Sequence, residues 1–267
     1  MTRDELVGQI KSKKSFLCVG LDPDPSKMPE KYRTSTKGVV DFCKQIIDAT
    51  QEYCVAYKPN IAFFEALGRN GWEALFQVAE YLPRDCFLIA DAKRADIGNS
   101  SRMYARAFFE EMNFDAVTVA PYMGSDSVLP FLEYKDKWTI LLALTSNKGS
   151  QDFQMIVDGD NIPLHVRVIR TAAEWGTPDN LMFVIGATHP EMLSDVRAMA
   201  PDHFFLVPGV GAQGGDLKSV AKAALNEDIG LLVNSTRAVI YASQGDDFAL
   251  RAGEKAKAYR DEMAVYL

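Results

Sequence analysis

Three residues within one short stretch could carry chemistry: Asp91, Lys93 and Asp96 in DAKRADIGNSS. In extended chain Asp91 and Lys93 lie two apart and project to the same side, so a carboxylate and an ammonium face one space. Lys58 closes an earlier apolar run, CVAYK, and shares parity with Ala56 and Cys54. Asp22 closes FLCVGLD and shares parity with Gly20 and Cys18. The reading is an alternating Lys58–Asp91–Lys93 cluster with Asp96 just beyond it, each ammonium keeping its proton because carboxylates flank it. A fixed cation of this kind can stabilise developing negative charge and then deliver a proton. A solvated salt-bridge ladder is the plainer alternative, but its usual home is a helix, and these residues end apolar runs.

A second motif is PGVGAQGGD, from Pro208 to Asp216, in which Gly209, Gly211 and Gly214 satisfy G-x-G-x-x-G. A dinucleotide turn normally follows a first strand and has an acidic residue about 20 positions on. Here the turn follows the seventh apolar run, and the next run ends in Asn234, Ser235, Thr236 and Arg237. Backbone N–H groups beside the Arg237 guanidinium suit a phosphate better than they suit NAD. Cys18, Cys43, Cys54 and Cys86 form no C-x-x-C pair, and His165, His189 and His203 lack metal spacing. The cysteines read as small buried hydrophobes in a reducing compartment, and zinc and histidine-based catalysis both lose ground.

These residues need a scaffold that brings many strand ends to one face. The strand-like runs are Phe16–Leu21, Cys54–Pro59, Cys86–Ala90, Ala116–Ala120, Thr139–Leu144, Met182–Ile185, Phe204–Val207 and Gly230–Val233. Helical spacing recurs in Val39–Tyr53, Trp72–Leu82, Ser101–Met112, Leu164–Trp175, Pro190–Met199, Asp216–Asn226 and Asp246–Tyr266. The alternation predicts a parallel sheet with crossover helices, and on pattern alone an open doubly wound sheet competes with a closed barrel. A glycine turn after strand seven with Arg237 after strand eight matches the phosphate site of a closed (β/α)8 TIM barrel. Long connections, Asp22 to Lys37 and Lys148 to Pro163, would sit at the site-forming ends of the strands.

The length of 267 residues suits one barrel domain, and no linker divides the chain. A net charge of −7 argues against a nucleic-acid or membrane-surface binder but leaves room for a small anion. Met1 to Phe16 alternates charged and apolar residues without a signal-peptide core, and no run approaches a membrane span, so the cytoplasm is the expected address.

Taken in order, GLDPDP, KPN, DAKRADIGNSS, LTSNKG, PGVGAQGGD and NSTR resemble the orotidine 5'-phosphate decarboxylase family, in its longer bacterial branch, over nearly the whole chain. The resemblance implies conversion of orotidine 5'-monophosphate to UMP and CO2 without a cofactor. It makes Lys93 the proton donor, flanked by Asp91 and Asp96, with Lys58 completing the network. Asp22 and Lys58 would contact the ribose and Ser146 the pyrimidine. Gln213 and Arg237 would hold the phosphate, with Pro208 at the head of that turn. It further implies a homodimer in which Asp96, Ile97 and Ser100 reach the partner's site. Ser100 stands where many relatives have threonine, and Thr236 where others have glycine. A metal-dependent keto-sugar phosphate decarboxylase or aldolase is the nearest rival. It would want a carboxylate after strand two, where this chain has Lys58, Pro59 and Asn60, with Glu65 farther on. A non-catalytic nucleotide binder is a third reading, disfavoured by so charged a centre.

Overall fold

A computed structural model of the chain describes residues 1–187, 190–210 and 215–267, with backbone only at 190 and 191. Eight strands form one parallel sheet: β1 Leu17–Leu21, β2 Ala56–Pro59, β3 Phe87–Arg94, β4 Ala116–Val119, β5 Trp138–Leu144, β6 Leu181–Ile185, β7 Phe204–Pro208 and β8 Leu231–Ser235. They neighbour one another in chain order, and the sheet closes where β8 pairs with β1 through Leu17↔Val233, Cys18↔Asn234 and Val19↔Ser235. The closed (β/α)8 barrel is therefore the architecture, and the open sheet is ruled out. Every residue of β1, β2, β4, β6 and β8 is buried, which explains why they read as continuous apolar runs rather than as alternation.

The helices outside the barrel follow the expected spacing. Thr36–Thr50 starts at Ser35, whose side chain accepts the Gly38 N–H, and buries Val39, Val40, Phe42, Cys43, Ile46 and Ile47 on one face. Four short or weakly patterned helices were not expected: Arg3–Lys13, Ile61–Glu65, Ser125–Leu132 and Arg237–Ile240. The first begins with a capping box between Thr2 and Glu5 and buries Leu6, Val7 and Ile10. It lies across the amino-terminal ends of the strands. The Met1 ammonium meets Asp115 at 2.6 Å, Met1 O accepts from the Trp138 indole, and Arg3 reaches Pro178 O and Asp228.

One strand departs from expectation. The run predicted to stop at Ala90 continues to Arg94, with a register shift against β4 between Ala90 and Arg94. An irregularity of this kind turns side chains away from strict alternation, and it falls on Asp91 and Lys93. The connections after β1 and β5 leave the carboxyl-terminal ends of their strands, as expected.

Candidate active site

Asp91 is the hub. Its Oδ2 lies 2.5 Å from Lys58 Nζ and its Oδ1 lies 2.5 Å from Lys93 Nζ. Thr118 on β4 donates its hydroxyl to Asp91 Oδ1 at 3.1 Å and accepts the Lys93 backbone N–H at 2.9 Å. Lys93 needs that support: its φ of 47° is left-handed, a conformation that costs a side-chain-bearing residue about 1 kcal/mol. The kink aims the Lys93 ammonium back at Asp91 while leaving the side chain 50% exposed, against 7% for Lys58.

Burial alone would raise the Asp91 carboxyl, but the two ammonium groups overcome it and hold it far below the usual carboxylate range. Burial alone would lower Lys58, and Asp91, Asp22 and Cys18 reverse that and push it up. Asp91 is thus a permanent anion and Lys58 a permanent cation at neutral pH. Lys58 is consumed in neutralising Asp91, and Lys93 is the ammonium left facing open space.

A cavity of about 350 Å³ adjoins the network, lined by Asp22 and Lys58 together with Pro208, Gly209, Asn234, Thr236 and Arg237. That size falls in the range of small-molecule pockets. Among the described residues, Asp22 Oδ1 and Asn234 Oδ1 have no hydrogen-bond partner and are buried there. Burial pushes the Asp22 carboxyl up, with Lys58 opposing. Tyr241 ties the segment after β8 to the one after β1, donating to Asp22 O at 2.5 Å and accepting the Asp24 N–H at 2.7 Å. Thr236 fits because Gly20 faces it: a Cβ on Gly20 would fall 1.9 Å from the threonine Oγ1. A larger cleft of about 650 Å³, lined by residues such as Leu142, Phe153, Leu164 and Val168, includes none of the Lys58–Asp91–Lys93 network.

The structure thus brings Asp22, Lys58, Asp91, Lys93, Pro208 and Arg237 to the carboxyl-terminal mouth of the barrel. Arg237 opens the short helix after β8, and among the described residues its guanidinium has no ion-pair partner. Ser146 follows β5 and sits against Gly186, where a Cβ would meet Ser146 N at 2.7 Å. Asp96 is not brought to Lys93 within the chain; its Oδ1 accepts the Ile97 N–H instead. Ile97 is 54% exposed, and Ser100 lies exposed on helix Gly98–Arg106. Gln213, Gly211 and Gly214 lie outside the described residues. Glu65 pairs with Arg94. Sequence reasoning did not single out Thr118 or Tyr241. The signal for Thr118 was a lone hydroxyl inside the apolar run AVTV.

A profile described as "Orotidine 5'-phosphate decarboxylase / HUMPS family" matches residues 15–252. An orotidine 5'-phosphate decarboxylase of Christiangramia forsetii is 55% identical over 270 residues, covering 100% of this chain and 99% of that protein. The solved OMP decarboxylase of Leishmania donovani is 38% identical with a TM-score of 0.85, over 99% of this chain and 100% of that one. The UMP synthase of the same organism is 42% identical with a TM-score of 0.84, over 96% of this chain. The alignment takes in 56% of that longer protein. Matched along almost its full length in sequence and in fold, the chain belongs to the orotidine 5'-phosphate decarboxylase / HUMPS family.

Proposed function

We propose that this protein decarboxylates orotidine 5'-monophosphate to UMP in pyrimidine biosynthesis, with no metal and no organic cofactor. The observation that carries the reading is the Lys58–Asp91–Lys93 network beside a nucleotide-sized cavity at the carboxyl-terminal mouth of the barrel. The bond from C6 of the pyrimidine to its carboxylate breaks, the electron pair stays on C6, and CO2 leaves. Lys93 Nζ, held by Asp91, stabilises that pair and then gives it a proton, so the product is UMP. Asp91 holds and orients the Lys93 ammonium, and Thr118 fixes the backbone that presents it. Asp22 and Lys58 would grip the ribose, and Arg237 with Pro208 would hold the phosphate; Gln213, outside the described residues, is the further phosphate ligand that the family resemblance implies. Ser146 would read the pyrimidine. Binding energy at the phosphate can orient the remote ring without touching the bond that breaks.

Asp96 fits a shared site in a homodimer. Its Oδ1 accepts the Ile97 N–H and makes no ion pair with Lys93 among the described residues, and Ile97 and Met103 expose apolar surface, 54% and 50%. A second subunit would cover those side chains and receive Asp96, Ile97 and Ser100 at its own mouth. The cytoplasm is the compartment this reading implies. No helix among the described residues is long and apolar enough to cross a membrane.

The test is turnover of orotidine 5'-monophosphate in EDTA, followed by the orotate ultraviolet band and by chromatography of UMP. Metal-independent conversion supports the reading. Folded protein that converts none, or that works only with magnesium restored, refutes it and favours the sugar-phosphate rival.

A further inference from the structure

Lys27 lies in the connection after β1 and lines the same cavity as Arg237, Pro208 and Gly209. Its ammonium is 3.0 Å from Asp24 Oδ2, in an ion pair whose lysine side chain is 51% exposed. Such pairs hold their partners weakly. Asp24 does not depend on this one: its Oδ1 also accepts the Ser26 N–H at 3.0 Å and the Ser26 hydroxyl at 2.7 Å. Release of Lys27 would therefore leave Asp24 hydrogen-bonded and in contact with water.

The turn that carries Lys27 is fixed to the arginine side of the cavity. Tyr241, one residue past helix Arg237–Ile240, bonds both Asp22 O and the Asp24 N–H, so the two cation-bearing segments keep one spacing. Charge balance then argues for a second cation. A phosphate monoester carries about −1.5 to −2 at neutral pH. Of the three cations lining the cavity, Lys58 is spent on Asp91 at 2.5 Å, which leaves Arg237 and Lys27. Arg237 alone matches little more than half of that charge.

We infer that Lys27 is a phosphate-binding residue, its ammonium exchanging Asp24 for the phosphate of the bound nucleotide opposite Arg237. The inference rests on the decarboxylase reading and adds to it a residue outside the motifs of the family resemblance. Asp24 becomes the counter-ion that parks the lysine when the site is empty of nucleotide. The exchange also predicts that Asp24→Asn, which frees the lysine, binds nucleotide at least as tightly as the unaltered protein.

Calorimetric titration of UMP and of uridine into the unaltered protein, Lys27→Met and Lys27→Arg tests this. Lys27→Met should weaken UMP about tenfold, the size of one hydrogen bond to a charged group. Uridine affinity should not change, Lys27→Arg should recover UMP binding, and the difference should shrink in high salt. UMP affinity in Lys27→Met equal to that of the unaltered protein overturns the inference, as does an equal loss for uridine. Unaltered protein that neither binds UMP nor converts orotidine 5'-monophosphate overturns the decarboxylase reading, and this inference with it.

Discussion

The two rims of the barrel handle polar groups in opposite ways. At the amino-terminal rim the buried Arg197 donates to five backbone carbonyls, those of Ala200, Pro201, His203, Ala224 and Gly230. Its guanidinium also lies 3.8 Å over the Phe205 ring. The Met1 ammonium and the Leu88 N–H both meet Asp115, one on each carboxylate oxygen. At the carboxyl-terminal rim Asp22 Oδ1 and Asn234 Oδ1 are buried without partners among the described residues, and Lys93 is held left-handed. One rim spends its hydrogen-bonding capacity on closing the barrel. The other keeps capacity in reserve for a ligand, at a cost in stability that the first offsets. The separation also explains how one chain tolerates an incompletely satisfied site: loop pins and core are remote from it.

The strongest way to break this comparison is Lys93→Ala. It should fold and bind UMP, yet lose at least about 10⁴ in kcat, because electrostatic stabilisation and proton delivery leave together. Turnover near that of the unaltered enzyme would place the chemistry elsewhere. Arg197→Met should do the converse. Stranding several buried carbonyls costs roughly 3–5 kcal/mol of stability, read by urea unfolding, while kcat at 25 °C stays near normal. A large loss of kcat in folded Arg197→Met would show that the rims are coupled.

Much of this division was legible in the sequence, for a physical reason. Strands buried on both faces are continuous apolar runs, so the polar residue at each end stands out, as Lys58 and Asp91 do. The length of β3 was not legible. DAKR is a poor strand by local propensity, and pairing with β4 through Arg94↔Val119 overrides it. Helix Ser125–Leu132 was hidden by Pro130 in its interior and by its single short turn of apolar residues. Thr118 and Tyr241 were invisible as site residues because their partners belong to other elements, met only once the barrel closes. Arg197 was hidden for the same reason, lying within a helical pattern where a charge reads as solvent-facing. Asp96 marks the other limit, since among the described residues its carboxylate meets the Ile97 N–H and no cation.

Thr118→Val sharpens the comparison on a smaller scale. The swap keeps the shape but deprives the Lys93 N–H and Asp91 Oδ1 of one partner each. We expect kcat to fall about tenfold with little change in KM, and Thr118→Ser to recover it. A rise in KM alone would make Thr118 a binding residue rather than one that positions Lys93.

The smallest effect tests an exception at the amino-terminal rim. His203 is 7% exposed and neither ring nitrogen has a partner among the described residues; the Phe183 ring lies 5.3 Å away. Burial, then Arg197 and Arg3, push its pKa down to about 4, with Asp202 opposing. The folded protein therefore keeps His203 neutral while the unfolded chain takes up a proton near pH 6.5. Stability from this group is fully present above about pH 6.5 and is lost as the pH falls through about 4. Asp91, held far lower by its two ammonium groups, does not titrate in that window. Mild acid should thus loosen the amino-terminal rim before it touches the Lys58–Asp91–Lys93 network. Between pH 7 and pH 5.5 the loss should be about 1 kcal/mol, and His203→Phe should remove most of that slope. Hydrogen exchange should quicken in β7 before β2 and β3 as the pH falls. Equal quickening in both regions, or an unchanged slope in His203→Phe, would mean that acid acts on the barrel as a whole and that the two rims are not independent.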